Sequence, residues 1–256
     1  MAIVLDNITY TYGVGTPFEK TALHGISLTI ENGEFLGVIG HTGSGKSTFV
    51  QHLNGLLHPT TGIVTVNGVD ISASTEEAKK MRHKVGMVFQ YPEHQLFEET
   101  IAEDIAFGPK KLGLSADEVD ERVRDAMKFV GLDYNTYAER SPFHLSGGQM
   151  RRVAIAGVVA MNPDFLVLDE PSAGLDPFGR EEIFEEIIRL HKEKGITVIL
   201  VSHNMEDISR MASRLVVLDK GRIVLDGEPM DIFNNHRDEL QAVGVDIPPV
   251  SVTMEY

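Results

Sequence analysis

The sequence predicts an α/β fold built on a mainly parallel sheet, with a helical sub-domain inserted into it. Three short segments, FLGVI, FLVL and ITVILV, are apolar throughout, which is typical of strands buried on both faces of a parallel sheet. Longer segments with helical patterning separate the strands. From Glu93 to about Asn162 strand patterning gives way to helical patterning, and this stretch is the predicted insert.

Each predicted element has a local signal. Strand-like runs lie at residues 3–5, 27–30, 35–39, 63–66, 85–89, 165–168, 196–201 and 215–218. Capping patterns predict three helix starts, at Ser74 with Glu77, at Ser115 with Glu118 and at Asp176 with Pro177. The last of these helices covers residues 178–194, and Gly195 is expected to end it.

The chain of 256 residues is expected to form a single domain. Residues 1–92 and 163–230 form its predicted core, residues 93–162 the helical sub-domain, and residues 231–256 a C-terminal helix and tail. The last segment, from Val245 onward, contains proline and shows no pattern, so the order of the tail stays open.

Charge and composition exclude several classes of function. The chain has no cysteine, which excludes disulfides and thiolate zinc sites. Its net charge of −15 at pH 7 disfavours direct binding of nucleic acid, which requires clustered Lys and Arg. No stretch is apolar enough to span a bilayer, and the N-terminus lacks the pattern of a signal peptide. We therefore expect a cytoplasmic protein.

Residues 40–47 match the P-loop pattern G-x-x-x-x-G-K-[ST], between an apolar strand and a helical stretch. Glycines allow a tight turn whose N–H groups point inward, and the helix start adds positive potential, so the loop can wrap phosphates. Lys46 is expected to reach the β- and γ-phosphates and the Ser47 hydroxyl to bind Mg²⁺, with Thr48 nearby. The rest of the predicted loop is Gly40, His41, Thr42, Gly43, Ser44 and Gly45. The alternative is a plain glycine-rich turn.

Polar side chains follow three other predicted strands, at the edge where active sites lie in such sheets. Asp169 is expected to hold Mg²⁺ through water and Glu170 to polarise an attacking water, unless the pair is only a solvated turn. His203 follows the strand ITVILV and is expected to hydrogen-bond the γ-phosphate and orient the water, although a lone histidine is more often structural. Gln90 ends the strand GMVF, where its amide could contact Mg²⁺ or the water, although by itself it would be taken for a surface residue.

The sequence LSGGQ at residues 145–149 predicts a second phosphate site. Ser146 and Gln149 form a capping box, so the alternative is a simple helix cap. A cap does not require Gly147 and Gly148, which weaken a helix, whereas a helix start rich in Gly and Ser suits a phosphate. Because one P-loop already wraps the nucleotide, this second site is expected to serve another subunit.

In this order, the P-loop, Gln90, LSGGQ, the pair Asp169-Glu170, SAGLD at residues 172–176 and His203 resemble the nucleotide-binding subunit of an ABC transporter. The resemblance covers about residues 3–228. It implies the ABC ATPase fold, with an N-terminal antiparallel β element beside the P-loop core, and ATP and Mg²⁺ as cofactors.

The same resemblance implies a head-to-tail dimer in which each ATP lies between the P-loop of one subunit and the LSGGQ segment of the other. Ser146 and Gly148 would then contact the γ-phosphate held by the second subunit, and Asp176 would face its P-loop. Tyr12 matches the aromatic residue that stacks on adenine, although by itself it is only an N-terminal aromatic.

Four further segments resemble the ATPases of energy-coupling factor (ECF) transporters: GTPFE at 15–19, YPEHQLF at 91–97, DIAFGP at 104–109 and SPF at 141–143. The GTPFE insert resembles one of the two paralogous ATPases of that family. This resemblance implies a second ATPase subunit, a transmembrane coupling protein and a small membrane protein that captures a vitamin or a transition-metal ion. The chain would lie at the cytoplasmic face of the membrane and power uptake.

Several points stay open at this stage. The alternatives are the ATPase of a conventional ABC importer and a soluble ABC ATPase without a transport role. The sequence names neither the solute nor the second ATPase, which is a paralogue or another copy of this chain. Within residues 96–107, the apolar Leu96, Phe97, Ile101 and Ile105 suggest a groove for the membrane subunit, and the alternative is that they form the sub-domain core.

Overall fold

The computed structural model describes residues 1–245, so the remainder of the predicted tail, residues 246–256, lies outside the described residues. The chain divides into two compact units. The first contains Met1–Val85 and the chain from Thr197 onward, and the second contains Gly86–Ile196. Within residues 1–245, every helix is too short or too polar to cross a membrane.

The described chain contains ten strands and ten α-helices. The strands are β1 (Ala2–Tyr12), β2 (Lys20–Glu31), β3 (Phe35–Ile39), β4 (Thr61–Val66), β5 (Val69–Asp70), β6 (Val85–Val88), β7 (Phe165–Asp169), β8 (Thr197–Val201), β9 (Arg214–Asp219) and β10 (Arg222–Gly227). The helices are α1 (Lys46–Leu53), α2 (Glu76–His83), α3 (Ile101–Lys111), α4 (Ala116–Phe129), α5 (Tyr134–Tyr137), α6 (Gly147–Val159), α7 (Pro177–Lys194), α8 (Met205–Met211), α9 (Pro229–Asn235) and α10 (Arg237–Ala242). Two 3₁₀ turns lie at Pro92–Gln95 and Pro142–His144.

The first unit combines an antiparallel sheet with a largely parallel one. The antiparallel sheet has the strand order β2-β1-β4-β5. In the other sheet β3 lies between β8 and β9 and is parallel to both, and β10 is antiparallel to β9. Every residue of β3 and β8 is buried, as continuous apolar strands of a covered parallel sheet should be. Both strands therefore deliver the residues that follow them to the same sheet edge.

The second unit is mostly helical. Its α3, α4 and α6 pack on one another, and buried side chains such as Ile105, Met127 and Ile155 form the core. The strand β7 is buried along its whole length and is the neighbour of β6. Residues 93–162 carry the helices α3 to α6, as the helical patterning predicts. That these residues form a sub-domain of a single domain stays a prediction.

The structure confirms the predicted α/β class and all eight predicted strands, and it adds β5 and β10. The capping box at Ser115 and the helix from Asp176 to Gly195 are also confirmed. The predicted cap at Ser74 is wrong by one residue, because the Thr75 side chain accepts the hydrogen bond from the Ala78 N–H.

Candidate functional site

The turn between β3 and α1 has a backbone that only glycine tolerates at its start. Gly40 has a φ of 153°, and a Cβ placed on it would lie 2.2 Å from the carbonyl oxygen of Leu218. Gly45, with a φ of 105°, is the N-cap residue of α1 and has no side chain that could accept from the helix. The first N–H groups of α1 are therefore left for an external anion.

The ammonium group of Lys46 lies across this turn. Lys46 is only 6% exposed, and its Nζ donates to the carbonyl oxygens of Gly40 at 2.6 Å and of His41 at 3.0 Å. The Oγ atom of Ser44 is buried and has no hydrogen-bond partner among residues 1–245. A buried cation beside a hydroxyl without a partner fits the phosphates of a nucleotide, because phosphate oxygens can accept hydrogen bonds from both groups.

Other predicted loop residues shape the turn. His41 contacts two acceptors, the Thr42 carbonyl oxygen at 2.7 Å from Nδ1 and the Asp219 carboxylate at 2.9 Å from Nε2. The side chain of His41 thus joins the loop to the end of β9. Gly43 has a φ of 83°, and no atom of the described chain beyond the adjacent residues lies within 4 Å of a Cβ built there, so this side of the loop is open.

Tyr12 is fixed against the first helix of the same unit. Its hydroxyl lies 3.0 Å from Thr48 Oγ1, and its ring contacts Tyr10 edge to face at 4.8 Å. Tyr10 in turn contacts the ring of His52, whose Nδ1 donates to the Thr48 carbonyl oxygen at 2.7 Å. Burial lowers the pKa of His52, which favours the neutral form of its ring. Tyr12 is 42% exposed, so part of its ring is accessible to a base.

The remaining residues predicted in the first unit are Ser47 and His203. Ser47 lies in the first turn of α1, beside Lys46, and is exposed. His203 follows β8, is exposed, and precedes Asn204, whose side chain caps α8. The P-loop follows β3, the parallel neighbour of β8, so both segments leave the same sheet edge.

In the second unit the structure brings Gln90, Asp169 and Glu170 together. The Nε2 of Gln90 donates to the Glu170 carboxylate at 3.4 Å, and the buried Asp169 directly precedes Glu170 at the end of β7. Glu170 and Tyr91 have φ values of 50° and 55°. Left-handed residues other than glycine cost energy and concentrate at functional sites, where the surroundings hold them.

The predicted capping box opens α6. Ser146 Oγ accepts from the Gln149 N–H at 3.3 Å, and Gln149 Oε1 accepts from the Ser146 N–H at 3.1 Å. Apart from adjacent residues and the backbone of α6 itself, no atom of residues 1–245 lies within 4 Å of a Cβ built on Gly147 or Gly148. Packing within the described chain therefore does not require these glycines. Asp176 is exposed and caps α7, accepting from the Gly179 N–H at 2.7 Å.

The predicted Mg²⁺ ligands are Ser47, Gln90 and Asp169. Among residues 1–245 there is no group of three or more His, Asp or Glu side chains that could hold a metal by itself. Hydroxyl, amide and carboxylate oxygens are the ligands that Mg²⁺ accepts when phosphates and waters complete its shell. Ser47 lies in the first unit and Gln90 and Asp169 lie in the second, and each is of a donor type that Mg²⁺ accepts.

The structure corrects part of the groove hypothesis. Leu96, Ile101 and Ile105 are buried within the second unit, so they belong to its core, which is the alternative interpretation. Phe97 is 57% exposed and contacts the partly exposed Phe107 edge to face at 4.9 Å. An exposed aromatic pair remains at this position.

Sequence reasoning missed several supporting residues, namely Tyr10, Asp219 and Arg151. Tyr10 and Asp219 hold Tyr12 and His41, as described above. Arg151 is a charged residue in the apolar stretch of α6, and it is 2% exposed. A charge at a core position of a helix was the available signal, because such a residue is almost always paired.

Comparison with known proteins gives consistent results. The profile of the family described as "ABC transporter" matches residues 23–173. The energy-coupling factor transporter ATP-binding protein EcfA2 of Clostridium tetani is 56% identical over 254 residues, which cover 99% of this chain and 88% of that protein. The protein of the same name from Bacillus cereus is 53% identical over 250 residues, 97% of this chain and 85% of that protein.

Solved structures are similar as well. The structure of cbiO1 from Clostridium perfringens, described as part of the ABC transporter complex cbiONQ, has a TM-score of 0.81 and 36% identity, and the match covers 96% of this chain and 95% of that one. A dimeric ATP-binding cassette, MJ0796, bound to ADP and Pi has a TM-score of 0.77 and 32% identity. The match covers 89% of this chain and 98% of that one.

Proposed function

The chain belongs to the ABC transporter family, and from this membership we propose that it powers uptake of a micronutrient as the ATP-binding subunit of an ECF transporter. Its reaction is the hydrolysis of ATP. The observation that carries the activity is the loop after β3, where the buried ammonium of Lys46 and the unsatisfied hydroxyl of Ser44 fit a nucleotide's phosphates. The near full-length similarity to ECF proteins supports the subtype.

The residues of the first unit are proposed to bind the nucleotide. The loop N–H groups and Lys46 stabilise the phosphate charge, Tyr12 stacks on the adenine, and His203 donates a hydrogen bond to the γ-phosphate. Mg²⁺, held by Ser47, Gln90 and Asp169, would supply further charge neutralisation when it is bound.

Hydrolysis is proposed to depend on Glu170. Its carboxylate orients the attacking water and accepts a proton, and the amide of Gln90 fixes the carboxylate by donating to it. Ser146 and Gly148 at the start of α6 are proposed to contact the nucleotide held by a second ATPase subunit. Asp176 would face the P-loop of that subunit.

The proposed assembly is a head-to-tail ATPase dimer under a transmembrane coupling protein. A small membrane protein would capture the solute, a vitamin or a transition-metal ion, and the chain would lie at the cytoplasmic face of the membrane. The similar MJ0796 cassette is dimeric, and cbiO1 is described as part of a transporter complex. These descriptions support an ATPase dimer and a place in a transporter complex.

The transport role is tested by affinity purification of the chain from gently solubilised native membranes. We expect a transmembrane coupling protein and a second ATPase to co-purify, together with a small capture protein that would suggest the solute. Recovery with soluble partners only, while a control membrane complex stays intact, would contradict the transport role. The ATPase reaction would still stand in that case.

The chemical role is tested with Glu170→Gln. We expect this variant to keep ATP binding and to lose about 10²–10⁴-fold in hydrolysis, as for removal of a general base. Glu185→Gln, an exposed position on α7, is the matched control and should hydrolyse ATP at the wild-type rate. Undiminished turnover by Glu170→Gln would contradict the role of Glu170.

A further inference from the structure

Arg151 lies in α6, two residues after the capping box that opens the helix. Its side chain is buried, and two nitrogens of its guanidinium donate hydrogen bonds to the Glu93 carboxylate. Nε donates to Oε2 at 3.2 Å, and Nη2 donates to Oε1 at 3.0 Å and to Oε2 at 3.1 Å. This is the paired geometry in which arginine binds a carboxylate most strongly.

The third nitrogen of Arg151 holds a different segment. Nη1 donates to the carbonyl oxygens of Pro171 at 3.0 Å and of Ala173 at 2.9 Å. Pro171 directly follows Glu170, and the Ala173 N–H donates back to the Glu170 carbonyl oxygen at 3.1 Å. Arg151 therefore fixes the backbone turn that contains Glu170.

Glu93 belongs to the segment that carries Gln90. It lies in the 3₁₀ turn Pro92–Gln95, three residues after Gln90, and the left-handed Tyr91 lies between them. One guanidinium thus binds both segments whose side chains meet where Gln90 donates to Glu170. It does so from α6, whose N-cap residue is Ser146.

Both left-handed residues in these segments need surroundings that hold them. A planar guanidinium with five N–H donors in a fixed fork can satisfy a carboxylate and two carbonyls at once. A lysine ammonium has three donors on one atom and cannot span both segments. The arrangement therefore depends on arginine itself and not only on a positive charge.

We propose that Arg151 is a positioning residue for ATP hydrolysis, which holds the Gln90 and Glu170 segments in a fixed arrangement relative to the start of α6. The proposal rests on the proposed function, because it takes Glu170 as the group that orients the attacking water. A contact made at Ser146 would then reach Glu170 through the Arg151 side chain. Binding of a nucleotide at the start of α6 would therefore affect the rate of ATP hydrolysis at Glu170 of the same subunit.

The test measures kcat for ATP hydrolysis and nucleotide affinity separately, on the full chain in its purified transporter complex. The variants are Arg151→Met, Arg151→Lys and Glu93→Gln. We expect each to lower kcat, by about 10- to 100-fold for Arg151→Met, because small displacements of reacting groups cost factors of this size. The Kd of a fluorescent ATP analogue should stay within about twofold of wild type, because the phosphate loop lies outside these contacts.

Arg122→Met is the matched control. Arg122 also donates to a backbone carbonyl of the second unit, that of Ala160, but it contacts neither the Gln90 nor the Glu170 segment. We expect it to lower the unfolding midpoint and leave kcat unchanged. The double variant of Arg151→Met and Glu93→Gln should lose no more turnover than Arg151→Met alone, because both act through one contact.

The possible outcomes separate this inference from the proposed function. Wild-type kcat in Arg151→Met, or additive losses in the double variant, would overturn the role of Arg151. If Arg151→Met fails to fold, wild-type kcat in both Arg151→Lys and Glu93→Gln would do the same. Absence of ATP hydrolysis by the wild-type complex would instead refute the proposed function, and this inference with it.

Discussion

Glu186 is a buried carboxyl group on α7 whose ionisation should make the stability of the protein depend on pH. It is 9% exposed, and its Oε2 has no hydrogen-bond partner among residues 1–245. Its Oε1 lies 3.5 Å from Nη1 of Arg152. The Nη2 of the same arginine forms an ion pair with Glu182. Burial raises the pKa of Glu186 from 4.5 to about 7, against the opposing effect of the Arg152 and Arg189 guanidiniums.

The sign of the effect follows from proton binding. Between pH 4.5 and about 7 the folded chain holds a proton on Glu186 that the unfolded chain has released. The free energy of unfolding therefore falls as the pH rises through this window and levels off above it. At about 1.4 kcal/mol per pKa unit, the full effect is about 3.5 kcal/mol, of which about 2.5 kcal/mol falls between pH 5 and pH 8.

The perturbation is Glu186→Gln, which keeps the shape of the side chain and removes its ionisation. Urea unfolding, followed by circular dichroism at several pH values, gives the free-energy difference between variant and wild type. We expect this difference to shift by about 2.5 kcal/mol in favour of the variant from pH 5 to pH 8. A difference that does not change with pH would refute the assignment of a raised pKa to Glu186. Glu185→Gln, exposed on the same helix, is the control.

Three further predictions concern the nucleotide site. Lys46→Ala should weaken ATP binding at least about tenfold in a fluorescent-nucleotide titration, because a charge-assisted contact to phosphate is lost, and wild-type affinity would contradict its role. Tyr12→Leu should weaken ATP binding more than Tyr12→Phe, because Tyr12→Phe keeps the ring and loses only the hydrogen bond to Thr48. Both variants should bind inorganic tripolyphosphate as the wild type does. Weaker binding of tripolyphosphate would contradict a role confined to the base. Gly43→Ala should lower the free energy of unfolding by roughly 1–2 kcal/mol, and Gly40→Ala should lower it by more, because the Cβ at residue 40 would also lie against a carbonyl oxygen. Equal losses in urea unfolding would contradict this prediction.

Local signals explain why much of the fold could be predicted. The strands β3, β7 and β8 are recognisable in the sequence because nearly all their residues are apolar, and the turn at Gly40 because its glycines have a fixed spacing. The cap of α7 is also a local signal, because the Asp176 side chain accepts from the N–H of Gly179, three residues later in the chain. The placement of Ser74 failed because Thr75, next to it, satisfies the same geometry with Ala78.

The supporting contacts of the site could not be predicted in this way. Arg151 and Glu93 are 58 residues apart in the chain, and no periodic pattern joins them. The same holds for His41 and Asp219, which are separated by 178 residues. The strand β10 alternates between exposed and half-buried residues, so it carries little of the apolar signal that marks the central strands.

The closed capping box at the start of α6 has a kinetic consequence. Because Ser146 and Gln149 already satisfy each other within the chain, this helix end is ordered before any second subunit arrives. Association of two ATPases would then involve little loss of conformational entropy at this position. In the proposed dimer, a nucleotide bound at the start of α6 would act mainly by slowing dissociation, so the lifetime of that dimer, more than its rate of formation, would follow the state of the bound phosphate.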